Sequence, residues 1–507
     1  MKPLSLVVGC VVAGLLLSGC VGGSSGPGAS SPGVSGGATP GSGASSPLVL
    51  KTTYAGGDVT VTVHPVEVVE DHAVVTLDFV LEPGGESFSL GQALKGSIEE
   101  RGAGGVRLVD LVGDRVWTAG YDSAGVSAAT KLRNLKPGEP LTTVTMFAVP
   151  GSANVYVFVP GVGLVPDVPV VEGGSDVPSV QSLGLSGKVT FPDPWPLRTY
   201  TQSYVDGVSV SGQGADQTVT LASDVLFDTD KFDLTAGAAQ VVAEAGTAIK
   251  GAASGGEVRV VGHTDDVSSA EYNMELSVKR AQTVATALAA DLGGSFAIVS
   301  EGKGKTQPAV PGTSAEARAA NRRVEIRFTA ERRVGFDSSV VPAAEVPVSS
   351  GHESVEYLKR HYWGEGDITV QASVVRVVRR DGYLVGTINV SLVKDNDAGS
   401  VDFWGMMEWF GDVSKPRNLS DLEKFHGSWP VYLLTDAGKV YAAQYGVGAG
   451  KSEAVWFLAE SQSTTEPNMP VGRVYTFDVV WPDLGADTIS VEAAEHFRIV
   501  DIPVEDG

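Results

Sequence analysis

The chain has 507 residues, 43% apolar and 19% charged, the profile of a soluble globular protein long enough for roughly two to four domains. Its formal charge of −23 argues against a nucleic-acid or anionic-lipid surface, because either would repel it. Both of its cysteines lie within the first 20 residues, so no disulfide framework is available to the remainder.

Lys2 is followed by an apolar run from Leu4 to Leu17. That run is too short to span a bilayer and reads as a cleaved signal segment over residues 1–19. Leu17-Ser18-Gly19-Cys20 resembles a bacterial lipobox. The resemblance implies that Cys20 becomes the new N-terminus and carries diacylglycerol and palmitate-type acyl chains. Each buried methylene contributes about 0.8 kcal/mol, so several chains on one residue anchor stably. Residues 20–47 are nearly all Gly, Ser, Ala and Pro and read as a disordered tether. It would reach roughly 30 Å on average and about 90 Å when pulled straight. The G-x-S-x-G strings at Gly22 and Gly33 sit between no strand and helix, so they are accidents of composition.

From 48 to 172 the pattern has period two: Val59, Val61 and Val63 alternate with Thr60 and Thr62. Turn residues such as Glu82-Pro83-Gly84-Gly85 and Lys136-Pro137-Gly138 punctuate the runs, which predicts an antiparallel β-sandwich. Residues 352–507 repeat the pattern. Asp58-Val-Thr-Val61 matches Asp367-Ile-Thr-Val370, Val66-Glu-Val-Val69 matches Val375-Arg-Val-Val378, and Asp167-Val-Pro-Val170 matches Asp501-Ile-Pro-Val504. Trp117 to Tyr121 against Tyr441 to Tyr445, and Val149-Pro150 against Trp481-Pro482, keep the same order. Two copies of one sandwich are therefore expected, loosely similar to immunoglobulin-type (Ig-like) sandwiches of bacterial lipoproteins. Residues 173–214 and 331–351, with Pro192, Pro194, Pro196, Pro342 and Pro347, read as connectors.

Between the connectors, 215–330 alternates strands with helices. Thr218 to Phe227 is strand-like, Thr235 to about Ala252 is an Ala-rich helix, and Val258 to Gly262 is a short buried strand. Asn273 to Leu292 reads as a second helix with Leu276, Ala281, Val284 and Leu288 near one face; Phe296 to Val299 and Val324 to Phe328 supply further strands. Such alternation implies a mixed sheet with helices packed on it, an α/β (α+β) module in a multidomain chain.

This module contains Gly262-His263-Thr264-Asp265-Asp266, then Tyr272-Asn273-Met274-Glu275-Leu276-Ser277-Val278-Lys279-Arg280-Ala281. With Phe227-Asp228, Glu301-Gly302-Lys303-Gly304, Pro308 and Asn321-Arg322-Arg323-Val324-Glu325-Ile326, it resembles the OmpA-like peptidoglycan-binding domain found in OmpA, Pal and MotB proteins. The resemblance implies that Asp265, just past a strand end, and Arg280, on the second helix, receive the doubly charged end of diaminopimelate in the peptidoglycan stem peptide. A guanidinium clamps a carboxylate and a carboxylate accepts from an ammonium. Thr264, Asn273 and Leu276 would line the pocket, with Asn321 and Arg322 on the neighbouring loop. The bland reading pairs Asp265 with Arg280 and nothing else. Ser268 stands where the family carries glycine, so a different turn is expected after Asp265.

No catalytic constellation emerges. His263 beside Asp265 and Asp266 lacks a second histidine and reads as a satisfied buried imidazole; no metal or cofactor is expected. Gly304-Lys305-Thr306 lacks the glycine that a phosphate loop needs at 299. Phe403, Trp404, Met406, Met407, Trp409 and Phe410 read as core, with sugar or protein binding as the alternative. The chain is thus expected to be a lipid-anchored cell-envelope protein, not an enzyme, that binds peptidoglycan non-covalently and links membrane to wall. It would sit on the extracytoplasmic face of the cell membrane, or on the outer membrane of a two-membrane cell. The alternative is a scaffold or adhesin whose sandwiches bind an envelope protein or glycan, with wall binding as its mooring.

Overall fold

The computed structural model describes residues 46–54, 57–94, 103–131, 133–173, 178–331, 344, 346–360, 367–394, 431–435, 438–447, 454–457, 471–493 and 496–507. The signal, Cys20, nearly all of the tether and the aromatic group at 403–410 lie outside them.

The central sheet is built from β1 (Thr199–Gln202), β2 (Val208–Gln213), β3 (Asp216–Ala222), β4 (Gly256–His263), β5 (Phe296–Gly304) and β6 (Arg323–Thr329), in the order β5-β4-β6-β3-β2-β1. Only β4 and β5 pair in parallel; β6 runs antiparallel to both β4 and β3, so the sheet is mixed, as expected. Helices α1 (Ala238–Ala252) and α2 (Ala270–Leu292) connect the strands, and a short α3 (Ala315–Asn321) precedes β6. In α1 the buried positions Ala238, Val241, Val242, Ala245, Ala248, Ile249 and Ala252 follow the spacing of one helical face. Together with Val258, Val260, Val284, Leu288 and Ile326 they form one apolar core. Thr235, expected to start α1, instead donates its hydroxyl to the Val225 carbonyl at 3.0 Å. At α2 the start is Ser269, whose hydroxyl accepts from the Tyr272 amide at 3.1 Å and satisfies one of the unpaired donors of the first turn. Gly293 ends it at φ +73. The strand expected to run on to Phe227 breaks at Ser223 into one helical turn, Ser223–Leu226.

β1 and β2 fall inside the stretch 173–214 expected to be a connector. Their alternation is plain (Thr199, Thr201, Val208 and Val210 buried, Ser209 between them partly exposed), and the prolines lie upstream of it. The outer edge of β1 pairs with Gly438–Val440 through Thr201↔Val440 and Gln202↔Lys439. The sheet then continues through Val431–Thr435, Thr488–Ala493, Phe497–Pro503 and Val348–Ser350 to eleven strands. Gly438 has φ +117, and a β-carbon there would collide with the Gln202 carbonyl.

The two flanking regions pair their strands in the same way. Leu48–Tyr54, Gly57–Val63, His72–Leu81 and Leu141–Ala148 are successive antiparallel neighbours; so are Val355–Arg360, Asp367–Arg380, Tyr383–Lys394 and Val474–Pro482. Gly163–Glu172, Asn154–Val159, Arg107–Asp110 and Arg115–Trp117 are mirrored by Phe497–Pro503, Thr488–Ala493, Val431–Thr435 and Gly438–Val440. Asp167 and Asp501, matched in the sequence, share left-handed backbone at φ +55 and +53. The two regions also touch: Tyr156 donates to Asp381 at 2.8 Å, and the Leu164 amide to buried Asp478 at 2.9 Å.

Candidate functional site

At the C-terminal end of β4, the loop 264–269, the first turns of α2 and the loop after Phe227 enclose a cleft of about 510 Å³. Thr264, Asp265, Asn273, Leu276, Arg280 and Arg322 all line it. Asn321 does not. Its buried amide closes on Val310, accepting from the main-chain N–H at 3.0 Å and donating to the carbonyl at 2.9 Å, which fixes the loop before α3.

Asp265 and Arg280 form no hydrogen bond with each other; each is held by other groups. The Asp265 side chain is 16% exposed, and its Oδ2 accepts from Arg322 Nη1 at 2.9 Å. Its Oδ1 accepts from the Val267 amide at 3.1 Å, a local turn bond that aims the carboxylate. Arg322 grips Asp224 with two further bonds, Nε–Oδ1 at 2.7 Å and Nη2–Oδ2 at 2.6 Å. The hydrogen bonds that Arg322 donates to Asp224 and Asp265 therefore push it above the ordinary arginine range, against the opposing effect of burial. Arg280 is 5% exposed, donates Nε to the Lys231 carbonyl at 2.9 Å, and lies 5.0 Å from the centre of the Phe227 ring. Burial pushes it below the ordinary arginine range, and Asp224 and Asp230 counter that shift. Its Nη1 makes no hydrogen bond among the described residues, so the fork retains a donor at the cleft wall.

The loop that carries Asp265 holds one residue in left-handed backbone. Ser268 sits at φ +77, the left-handed region that glycine occupies freely and serine rarely. Lys305 Nζ donates to the Ser268 carbonyl at 2.9 Å, Asn273 Nδ2 to the Val267 carbonyl at 2.6 Å, and Arg318 grips Asp266 at 2.7 and 3.2 Å. These partners hold the strained position from both sides.

His263 is buried behind the cleft, its Nε2 3.7 Å from Glu325 Oε2, and neither ring nitrogen makes a hydrogen bond among the described residues. The imidazole is enclosed, but not hydrogen-bonded as expected. Glu325 also meets Arg323 at 2.7 Å and Arg327 at 2.5 Å. Burial raises the Glu325 pKa, but the Arg323 and Arg327 guanidiniums beside it hold the carboxyl well below the usual range.

Sequence reasoning missed Asp224, Asp228, Thr229, Asp230 and Tyr272 as lining residues. The run Asp228-Thr229-Asp230 and the Tyr272 of the quoted motif were available signals. Asp224 had none: it meets Arg322 from 98 positions away.

A family model described as the OmpA family matches residues 226–322. Over 134 residues the chain is 34% identical to Outer membrane protein A of Bordetella avium, covering 25% of this chain and 69% of that protein. Over 123 residues it is 32% identical to the probable lipoprotein YiaD of Escherichia coli (strain K12), covering 24% of this chain and 56% of that protein. Among solved structures, it is similar to the cell wall anchor of the T6SS from Pseudomonas aeruginosa, at 33% identity and TM-score 0.22, covering 25% of this chain and 89% of that one. It is also similar to the peptidoglycan-associated lipoprotein from Burkholderia pseudomallei, at 27% identity and TM-score 0.17, covering 20% and 86%.

Proposed function

The chain belongs to the OmpA family through residues 226–322, and on that premise we propose that it binds peptidoglycan non-covalently as a lipid-anchored envelope protein. The ligand is the diaminopimelate end of the stem peptide. Its ammonium lies against Asp265, and its carboxyl oxygen accepts from the free Nη1 of Arg280. The observation that carries this reading is the placing of both side chains on one cleft while neither neutralises the other. A pair closed between these two would leave nothing for a ligand; Asp265 is paired with Arg322 instead and keeps lone pairs for a further donor, and Arg280 keeps Nη1. The protein acts as a binder and not an enzyme, and the flanking regions are two copies of one Ig-like β-sandwich that set the module's distance from the membrane.

A single site of this kind is weak alone, and the lipid on Cys20 raises the local concentration of wall. No helix among the described residues is long and apolar enough to cross a membrane, so in this reading the acyl chains hold the protein there. The test is co-sedimentation of the full chain with purified sacculi, alongside a Cys20→Ser chain expressed in cells. Wild type is expected to pellet with sacculi, and Cys20→Ser to leave the membrane fraction. A wild-type chain that stays in the supernatant rules out wall binding; a Cys20→Ser chain that stays with membranes rules out the anchor.

A further inference from the structure

The cleft carries more negative charge than a zwitterionic ligand can use. Asp224, Asp228, Asp230 and Asp265 face Arg280 and Arg322, and four carboxylates against two guanidiniums leave a formal charge of −2. The surplus is not evenly placed. Arg322 is engaged by Asp224 and Asp265, so it has little left for a third carboxylate. Arg280, the cation that remains for a ligand, sits in the field of Asp224 and Asp230 and already donates to main-chain oxygen. Asp228 and Asp230 enter no ion pair among the described residues.

A ligand carboxylate approaching Arg280 must therefore enter a cleft that Asp224, Asp228 and Asp230 also line. A carboxamide oxygen accepts the same N–H without bringing a charge. An ammonium gains from the surplus in either case. We infer that the cleft selects by charge at the far end of its ligand, taking an ammonium flanked by an uncharged carboxamide in preference to an ammonium flanked by a free carboxylate, with Asp230 as the residue that sets the preference. This rests on the stem-peptide reading, in which the carboxyl beside the terminal ammonium is the group that is free or amidated.

Asp230 is singled out because its charge can be removed while its side-chain partner, the Tyr272 hydroxyl, keeps an oxygen to donate to. Asp224 is clamped by Arg322, and the Asp228 main chain faces Arg280 at 3.5 Å. Asp230 sits at φ +59, a conformation that asparagine also tolerates, so Asp230→Asn deletes a charge and leaves the loop in place.

The experiment uses two synthetic stem tripeptides ending in diaminopimelate, identical except that the far carboxyl is free or amidated. Each is titrated calorimetrically into the full chain at low ionic strength. Wild type is expected to bind the amidated peptide about fivefold more tightly, and the ratio should shrink as salt is added. In Asp230→Asn it is expected to fall to about twofold at low salt. If wild type binds the free-acid peptide as tightly or more tightly, the charge selection is overturned and the stem-peptide reading stands. Binding of neither peptide overturns both. A full preference retained in Asp230→Asn overturns the assignment to that residue.

Discussion

Asp265→Asn separates the charge of the site from its scaffold. Asparagine keeps an oxygen to accept the Val267 amide, so the turn that presents position 265 survives. What disappears is the ion pair to Arg322, whose partners are 29% and 16% exposed, and such a pair contributes about 0.5–1 kcal/mol. Arg322 stays anchored, because both of its bonds to Asp224 remain. The fold should therefore lose no more than about 1 kcal/mol, measured by denaturant unfolding. Ligand binding should suffer far more. A hydrogen bond to an ionised group is worth about 1.5–3 kcal/mol, which is roughly 10- to 100-fold in affinity. The assay is the amount of sacculi needed to pellet half of the full chain, with wild type and variant run side by side. A variant that unfolds like wild type and pellets at the same sacculus concentration would show that the carboxylate does not meet the ligand, and the proposed role of the cleft would be lost with it.

Arg280→Ala should behave differently, because that side chain supports the fold as well. It removes the Nε bond to the Lys231 carbonyl and the contact with Phe227, and should cost about 2–4 kcal/mol in chemical denaturation together with wall binding. Ser268→Gly should stabilise the chain by about 0.5 kcal/mol and Ser268→Val should destabilise it by at least about 1 kcal/mol, since only glycine is unstrained at φ +77; equal unfolding midpoints would contradict this. Glu325 sets an acid limit. A carboxylate whose folded pKa lies below its unfolded value near 4.5 gives its full stabilisation above that value and loses it as pH falls through the folded one. Stability measured between neutral pH and about pH 3 should therefore drop on the acid side. Glu325→Gln should already be weaker at neutral pH by about 3 kcal/mol, with a flatter acid profile. Gly438→Ala should loosen the junction between the central sheet and its C-terminal extension, because the added β-carbon meets the Gln202 carbonyl; faster amide exchange in β1 and in Val431–Thr435 would report it.

The features legible in the chain were those whose physics is local. Leu276, Ala281, Val284 and Leu288, spaced along one helical face, mark the buried side of α2, and alternating valines mark the strands of the first flanking region. The motif around Asp265 and Arg280 lies within 16 consecutive residues, so the helix and the two charges could be read together, although the helix begins at Ala270 and not at Asn273 as expected. The turn at Ser268 shows where local reading fell short. A serine there says nothing of how a positive φ is held, and Lys305 and Asn273 hold it from elements that the local sequence does not name.

Folding decided what depends on groups far apart along the chain. Arg322 could be read as a lining residue, but its partner Asp224 is 98 positions away, so pairing rules based on spacing along a helix or strand cannot find it. The same holds for the edge of β1, where the Tyr441 hydroxyl donates to Gln202 across 239 positions and the sheet passes into another region. Backbone edges carry no side-chain code for their partner, and charge is shared among whichever groups the fold brings within a few ångströms. The sequence alone pointed to Asp265 and Arg280, which both line the cleft; only the tertiary structure decided which carboxylates line it with them, because Coulomb energy follows distance in space and not order in the chain.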